Sequence, residues 1–160
     1  MHKKQVMIQR IQTVYFLISE ILIGLLFFVP FAEIAGTGSA VYRFDMDGLH
    51  LMGVPKPESI ISGQPLVFLS TLVLLFVISA IFRFKNRKTQ IWITIVNIIF
   101  LLVLWGLMFY DVLSGAKSVS GTYSFRFYFT FPLIAIVFNY MAIREIKKDD
   151  ILVRSVDRIR

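Results

Sequence analysis

Four polar side chains lie inside long apolar stretches of this 160-residue chain. Glu20 falls in an apolar run over 13–32, and Ser79, Asn97 and Asn139 fall in three later runs. If each run is a helix, Glu20 lies about 12 Å from the start of its helix, and the other three lie at a similar depth. Carboxyl, amide and hydroxyl oxygens at one level can bind a proton or a cation. These four residues are therefore the candidate intramembrane polar site.

The same four residues also fit a purely structural role. Polar side chains between membrane helices form hydrogen bonds that select one packing arrangement. Apart from Arg83 and Arg144 at the predicted cytoplasmic ends, no Lys or Arg lies within the four apolar runs, so no cation at the depth of Glu20 offsets the cost of burying its charge. We expect a neutral Glu20 that faces the bundle interior and donates to Asn97, Asn139 or Ser79. We favour this structural interpretation over a proton or cation site.

A second polar cluster, Asp45, Asp47 and His50, surrounds a glycine at position 48. A calcium loop of the EF-hand type needs more oxygen ligands and a late Glu, which this segment lacks. Asp and Gly are common in tight turns, so we interpret 39–54 as a β-hairpin.

Elsewhere the sequence lacks the motifs that carry catalysis. It has no cysteine, no phosphate-binding loop, no zinc-protease motif and no nucleophile elbow. The absence of cysteine excludes disulfides and thiol chemistry. We therefore predict no catalytic residue, no metal site and no cofactor.

Four apolar runs would position the candidate site. Each approaches the roughly 20 residues that a helix needs to cross a bilayer, and 57% of the chain is hydrophobic. We predict an α-helical integral membrane protein, a four-transmembrane-helix bundle that forms a single domain over 1–160. The predicted spans are 13–32, 65–84, 91–110 and 129–146. The first run could instead be a signal peptide, but it is too long for a usual apolar region and contains Glu20.

The segment 83–90 sets the expected orientation, because it joins two spans closely and carries four cations and no acid. Positive residues favour the cytoplasmic side, and thirteen of the 17 Lys and Arg fall there: Lys3, Lys4, Arg10, Arg83, Lys85, Arg87, Lys88, Arg144, Lys147, Lys148, Arg154, Arg158 and Arg160. We expect both termini and this segment to lie in the cytoplasm. The basic face of the protein would contact anionic lipid, and no nucleic acid partner is expected.

The segment 118–130 shows the clearest strand pattern in the chain. Apolar and polar residues alternate with a period of two. Tyr123, Phe125, Phe127 and Phe129 would face inward, and Arg126 and Tyr128 outward. A lone strand cannot satisfy its backbone. We therefore expect it to pair with the hairpin over 39–54 in a small extracytoplasmic antiparallel β-sheet of about three strands.

The cytoplasmic tail, 147–160, fits two descriptions. Ile151, Leu152, Val156 and Ile159 fall on about one helical face. The tail is therefore either an amphipathic helix on the membrane surface or an exposed polar segment.

Three segments resemble an uncharacterised family of four-span membrane proteins from Bacteroidetes. They are 7–15, reading MIQRIQTVY, 84–91, reading FKNRKTQI, and 152–160, reading LVRSVDRIR. Residues 1–6 extend beyond the usual start of that family, and Glu20 stands where a small or apolar residue is expected. The resemblance implies a four-span topology and an inner-membrane location, with no reaction and no active site.

Two classes of function fit these observations. The first is a small non-catalytic membrane protein, an accessory or structural subunit of an inner-membrane or envelope complex. The second is a small transporter, channel component or ligand sensor that uses the polar layer around Glu20. Partners in either case are the lipid bilayer and either other proteins or further copies of the chain.

Overall fold

The computed structural model of the chain describes residues 2–37, 40–54, 59–84 and 86–157, with side chains described between residues 11 and 151 of those ranges. The elements in chain order are α1 (His2–Leu25), β1 (Ala32–Ala35), β2 (Val41–Asp45), β3 (Gly48–Leu51), α2 (Gln64–Phe82), α3 (Arg87–Ser118), β4 (Thr122–Phe125), a 3₁₀ turn (Phe127–Thr130) and α4 (Phe131–Asp157). The predicted combination of a mostly helical chain and a small antiparallel sheet is confirmed.

Three helical segments within the described ranges are long and apolar enough to cross a membrane. They are Gln64–Phe82, Arg87–Ser118 and Phe127–Ile151. A shorter apolar stretch, Ile11–Leu25, belongs to α1. The helices pack mainly as α1 on α4, α2 on α3 and α3 on α4. This packing, and the presence of three membrane-length helices, is compatible with the membrane protein expected from the sequence.

Helix α1 ends at Leu25, earlier than the predicted helix over 13–32. The N–H groups of Leu26, Phe27 and Phe28 donate to carbonyls three residues back, at 3.0–3.3 Å, which tightens the last turn. Pro30 then stops the helix, because it has no N–H and restricts the residue before it. The chain becomes extended and forms β1, a strand that the sequence analysis did not predict; only its first residue, Ala32, fell within the predicted first span.

Helix α3 is longer than the predicted span over 91–110. It begins after Asn86, whose side chain accepts the backbone N–H of Thr89 at 3.3 Å as an N-cap. It continues to Ser118, because its last turns are buried beneath the sheet. A Cβ at Gly115 would lie only 3.1–3.3 Å from three apolar side chains of the sheet. The small residue lets the sheet rest directly on the end of α3.

The sheet has four antiparallel strands in the order β3-β2-β1-β4. The predicted hairpin is confirmed in the described part of 39–54, where Phe44 pairs with Leu49. Asp45 Oδ1 accepts the backbone N–H of Asp47 at 3.1 Å within the turn. This bond supports the interpretation of these acids as turn residues.

The predicted strand over 118–130 is wrong in extent and in pairing. Only Thr122–Phe125 is a strand, and it pairs with β1 instead of the hairpin. The 3₁₀ turn that follows breaks the alternation, so Phe129 is 7% exposed and Phe127 is 70% exposed. The expected inward aromatic face is therefore wrong for Phe127. Two further members of the pattern, Tyr123 and Phe125, are also exposed.

Helix α4 continues beyond the predicted span over 129–146. The tail predicted over 147–160 is helical as far as Asp157, as a direct extension of α4. Asp149 is 3% exposed, which ties the first turn of this extension to the bundle. Residues 158–160 lie outside the described residues. Helix α2 starts one residue before the predicted 65–84 and ends two residues before its end.

Candidate functional site

A chain of hydrogen bonds joins three helices in the bundle interior. Asn97 of α3 donates from Nδ2 to Asn139 Oδ1 at 3.3 Å. Asn139 of α4 donates from its own Nδ2 to Ser19 Oγ of α1 at 2.7 Å and to the Ala135 carbonyl at 2.9 Å. Ser19, Asn97 and Asn139 are at most 1% exposed. The structure therefore brings together two of the four residues predicted from depth and adds Ser19.

Glu20 lies beside this layer but does not bond to it. Its Oε1 is buried and has no hydrogen-bond partner among the described residues. Phe16, one turn earlier on α1, packs with Val77 and Ala80 of α2 and with Ala142 of α4. This part of α1 thus lies between α2 and α4. The expected hydrogen bond from Glu20 to Asn97, Asn139 or Ser79 is not formed, because the α1 residue that bonds to Asn139 is Ser19.

Ser79 does not belong to the layer. It is exposed, and its hydroxyl donates to the Leu75 carbonyl of its own helix at 2.7 Å. The inward hydroxyl of α2 is Ser70, which is 0% exposed and whose Oγ has no partner among the described residues. Depth alone led to Ser79. Ser70 lies on the buried face of α2 with Leu66, Val73, Val77 and Ala80. Because 65–82 is apolar on every side, its sequence does not show which face is buried.

A second polar layer lies two turns away toward the start of α1 and α3. Gln12 is 5% exposed and Gln90 is 3% exposed. Each precedes a residue of the first layer, Ser19 or Asn97, by seven positions, which places it on the same helical face about 10 Å along the axis. The side-chain oxygens of both glutamines are buried and have no partner among the described residues.

An ion pair closes this end of the bundle. Arg87 Nη2 lies 2.6 Å from Asp149 Oδ2, and Arg87 Nη1 lies 3.8 Å from Asp150 Oδ1. The Asp149 side chain is only 4% exposed and that of Arg87 is 22% exposed. The pair joins the first turn of α3 to the last third of α4. The sequence analysis did not predict it: Arg87 was assigned only to the basic cytoplasmic side, and Asp149 only to the tail.

The hairpin of β2 and β3 holds a separate polar cluster. Asp45 lies 3.4 Å from Arg43 Nε and 3.6 Å from His50 Nε2. These side chains line a cavity of about 360 Å³. Among the described residues, no three His, Cys, Asp or Glu side chains form a group that could hold a metal ion.

In the part of the chain that the structure describes, the polar layers therefore offer buried oxygen atoms, amide donors and the Glu20 carboxyl beside them, and contain no nucleophile paired with a base. Such groups can bind water, a proton or a cation, or can fix the packing of the helices. The fold and this site define a mostly helical protein that has, in its described part, three membrane-length helices and a small antiparallel sheet. Residues 8–159 match the family described as Domain of unknown function (DUF4293), and the chain belongs to that family. No curated protein matches the chain. Membership of an uncharacterised family agrees with the resemblance noted in the sequence.

Proposed function

We propose that this chain is a four-span protein of the bacterial cytoplasmic membrane, with both termini and the segment 83–90 in the cytoplasm and the sheet outside. We further propose that it is a non-catalytic accessory or structural subunit of a membrane or envelope complex. The bias of positive charge supports this orientation. α1 would be the fourth span, its apolar stretch Ile11–Leu25 being continued by the tightened apolar turn over 26–28 that follows it.

Lipid contact is supported by the outer faces of the helices. Phe68 of α2 is 67% exposed, and Trp92 and Val103 of α3 are 69% and 53% exposed. Large apolar side chains exposed along membrane-length helices suit hydrocarbon better than water. The basic residues near the predicted inner ends suit anionic lipid headgroups.

The observation that carries the subunit role is the open edge of the sheet. β4 is an outermost strand, and all four of its residues are exposed. The N–H of Arg126 donates to the Phe31 carbonyl, which makes these two a bonded pair. Because bonded and non-bonded pairs alternate in antiparallel strands, the N–H and C=O groups of Phe125 and Tyr123 point to the free edge. Such an edge with exposed aromatic side chains can accept a strand from a partner.

A proline at position 123 tests this role. Tyr123→Pro removes an N–H that faces the free edge and spares the ladder to β1, because proline is tolerated on the open side of an edge strand. Tyr123→Ala is the matched control, which removes the ring and keeps the N–H. In native membranes solubilised with mild detergent, we expect the wild type to cross-link through β4 to a stoichiometric protein.

Loss of this cross-link in Tyr123→Pro and its retention in Tyr123→Ala would support strand addition at the edge. A cross-link to a second copy of the chain would identify a homo-oligomer. A chain that purifies alone, and whose cross-links do not change in Tyr123→Pro, would exclude the proposed subunit role at this surface.

The second candidate function is a small transporter, channel component or ligand sensor that uses the polar layer around Glu20. It is favoured by one observation, the buried Glu20 Oε1 without a partner among the described residues. A structural acid would be expected to have its hydrogen bonds satisfied. Glu20→Gln keeps the size of the side chain and removes its proton exchange. The variant should abolish ion or solute flux in proteoliposomes if this function holds, and leave flux unchanged otherwise.

A further inference from the structure

Five oxygen atoms in the helix bundle are buried and have no hydrogen-bond partner among the described residues. They belong to Gln12, Glu20, Ser70, Gln90 and Asn97. Amide oxygens only accept hydrogen bonds, whereas the serine hydroxyl can also donate, and so can the Glu20 carboxyl once it is protonated. Buried acceptors are normally matched by donors. A group of them in one interior indicates a site for a species that brings its own O–H, namely water or an acidic proton.

Four of these atoms, those of Gln12 and Glu20 on α1 and of Gln90 and Asn97 on α3, are arranged in a line along the two helices, while Ser70 belongs to α2. On α3, Gln90 and Asn97 lie on one face, three and ten residues after Arg87, or about 4.5 and 15 Å from it along the axis. Thr94, which is fully buried, lies between them. Gln12 and Ser19 repeat the seven-residue spacing on α1. The line therefore begins at the Arg87 end of the bundle and reaches the layer beside Glu20.

Two contacts fix the helices in this register. Arg87 pairs with Asp149, and Asn97 bonds to Asn139. The contact that lies ten residues later on α3 therefore lies ten residues earlier on α4. α3 and α4 are thus antiparallel. α1 is antiparallel to α4 as well, because Ser19 bonds to Asn139 and the earlier Phe16 packs near the later Ala142. α1 and α3 consequently run in the same direction, and Gln12 and Gln90 lie at one level.

We propose that Glu20 is a proton-binding group that exchanges with solvent along this line, from the end of the bundle that carries Arg87 and Asp149. A hydronium ion at that end gives up a proton and becomes water. Each water beside Gln90, Gln12 and Asn97 then takes up one proton and passes on another, and the last O–H bond forms on the Glu20 carboxylate. Release follows the reverse path. The proposal deepens the second candidate function by naming its ligand, and it does not depend on the accessory role.

Few other charged groups face Glu20. No Asp, Glu, Lys, Arg or His occurs in 65–82, 91–110 or 131–143, the parts of α2, α3 and α4 that flank it. Tyr15 and Tyr140 are the nearest phenols in α1 and α4 by position, and Tyr140 is 56% exposed. Proton binding in this interior therefore belongs to Glu20.

Hydrogen–deuterium exchange of the carboxyl group, followed by infrared spectroscopy, tests the proposal. The full chain is reconstituted in vesicles of phosphatidylcholine and phosphatidylglycerol, and the carboxyl band of Glu20 is assigned as the one missing in Glu20→Gln. After transfer to D₂O, we expect this band to shift within minutes in the wild type. Gln90→Met should slow the shift about tenfold or more, because it removes a polar step from the line.

The variants are matched for folding. The Gln90 side-chain oxygen has no partner among the described residues, so methionine of similar length removes no observed bond to that atom. Ser79→Ala is the control on the outer face and should leave the exchange rate unchanged. Circular dichroism checks that each variant is helical.

Two outcomes would overturn the proposal. Equal exchange rates in the wild type and Gln90→Met would exclude the route. A spectrum with no band dependent on Glu20 between mildly acidic and neutral pH would exclude proton binding. Neither outcome affects the accessory role, because the chain is studied without a partner protein.

Discussion

The side-chain nitrogen of Asn97 lies 3.3 Å from the side-chain oxygen of Asn139, so one hydrogen bond joins α3 to α4 inside the bundle. Asn139 also bonds to Ser19 of α1, which makes it the residue that connects three helices. Asn139 therefore holds α1 and α3 to α4, a role that its depth in the helix alone does not explain.

The first prediction follows from this junction. Asn139→Leu should lower the free energy of unfolding in detergent by about 1–3 kcal/mol, because Ser19 and Asn97 lose their buried partner. Ser79→Ala should change it by less than about 0.5 kcal/mol, since that hydroxyl is exposed and bonds only within α2. Titration with SDS, followed by circular dichroism, measures both. Equal losses in the two variants would contradict the assigned roles.

The second prediction separates two aromatic residues of the turn before α4. Phe129→Ala should cost about 3–5 kcal/mol, because the ring is buried and packs against Trp105 and Phe125. Phe127→Ala should cost less than about 1 kcal/mol in detergent, since its ring is 70% exposed. The same unfolding titration applies. A larger loss at Phe127 would restore the strand register predicted from sequence.

The third prediction concerns the ion pair at the end of the bundle. Asp149→Asn should lower the free energy of unfolding by up to about 3 kcal/mol, because Arg87 then keeps a largely buried charge beside a neutral amide. The double variant Arg87→Met with Asp149→Leu should recover much of the loss, since it removes both charges of the buried contact, and Asp150, the other acid near Arg87, is 31% exposed to solvent. A double-mutant cycle measures the coupling, and additive effects of the single changes would show that the pair contributes nothing.

The fourth prediction tests the proposed orientation. The chain has no cysteine, so single cysteines report accessibility without further engineering. Met52→Cys, at the exposed end of the hairpin, should react with a membrane-impermeant maleimide added to intact cells. Lys88→Cys should react only after permeabilisation, because 83–90 is placed in the cytoplasm. The reverse pattern would invert the topology.

Local chemistry in the sequence determined the helices and the hairpin. Apolar runs long enough to cross a bilayer predicted α2 and α3, and the Asp-rich turn predicted the pairing of β2 with β3. These features could be read from sequence because each depends on neighbours along the chain. Asn97 and Asn139 were likewise placed together from depth alone, since antiparallel helices bring equal depths into contact.

Tertiary structure alone decided the rest. β1 has only four residues, too few to show an alternation of apolar and polar side chains. It is a strand because β2 and β4 supply hydrogen-bond partners on its two sides, and β4 lies about 90 residues later in the chain. Which hydroxyl of α2 faces inward depended on how α2 rotates against α3, so Ser70 replaced Ser79. Ser19 displaced Glu20 from the layer for the same reason. Depth along a helix follows from counting residues, whereas the face that each residue presents is set by the packing of the whole bundle.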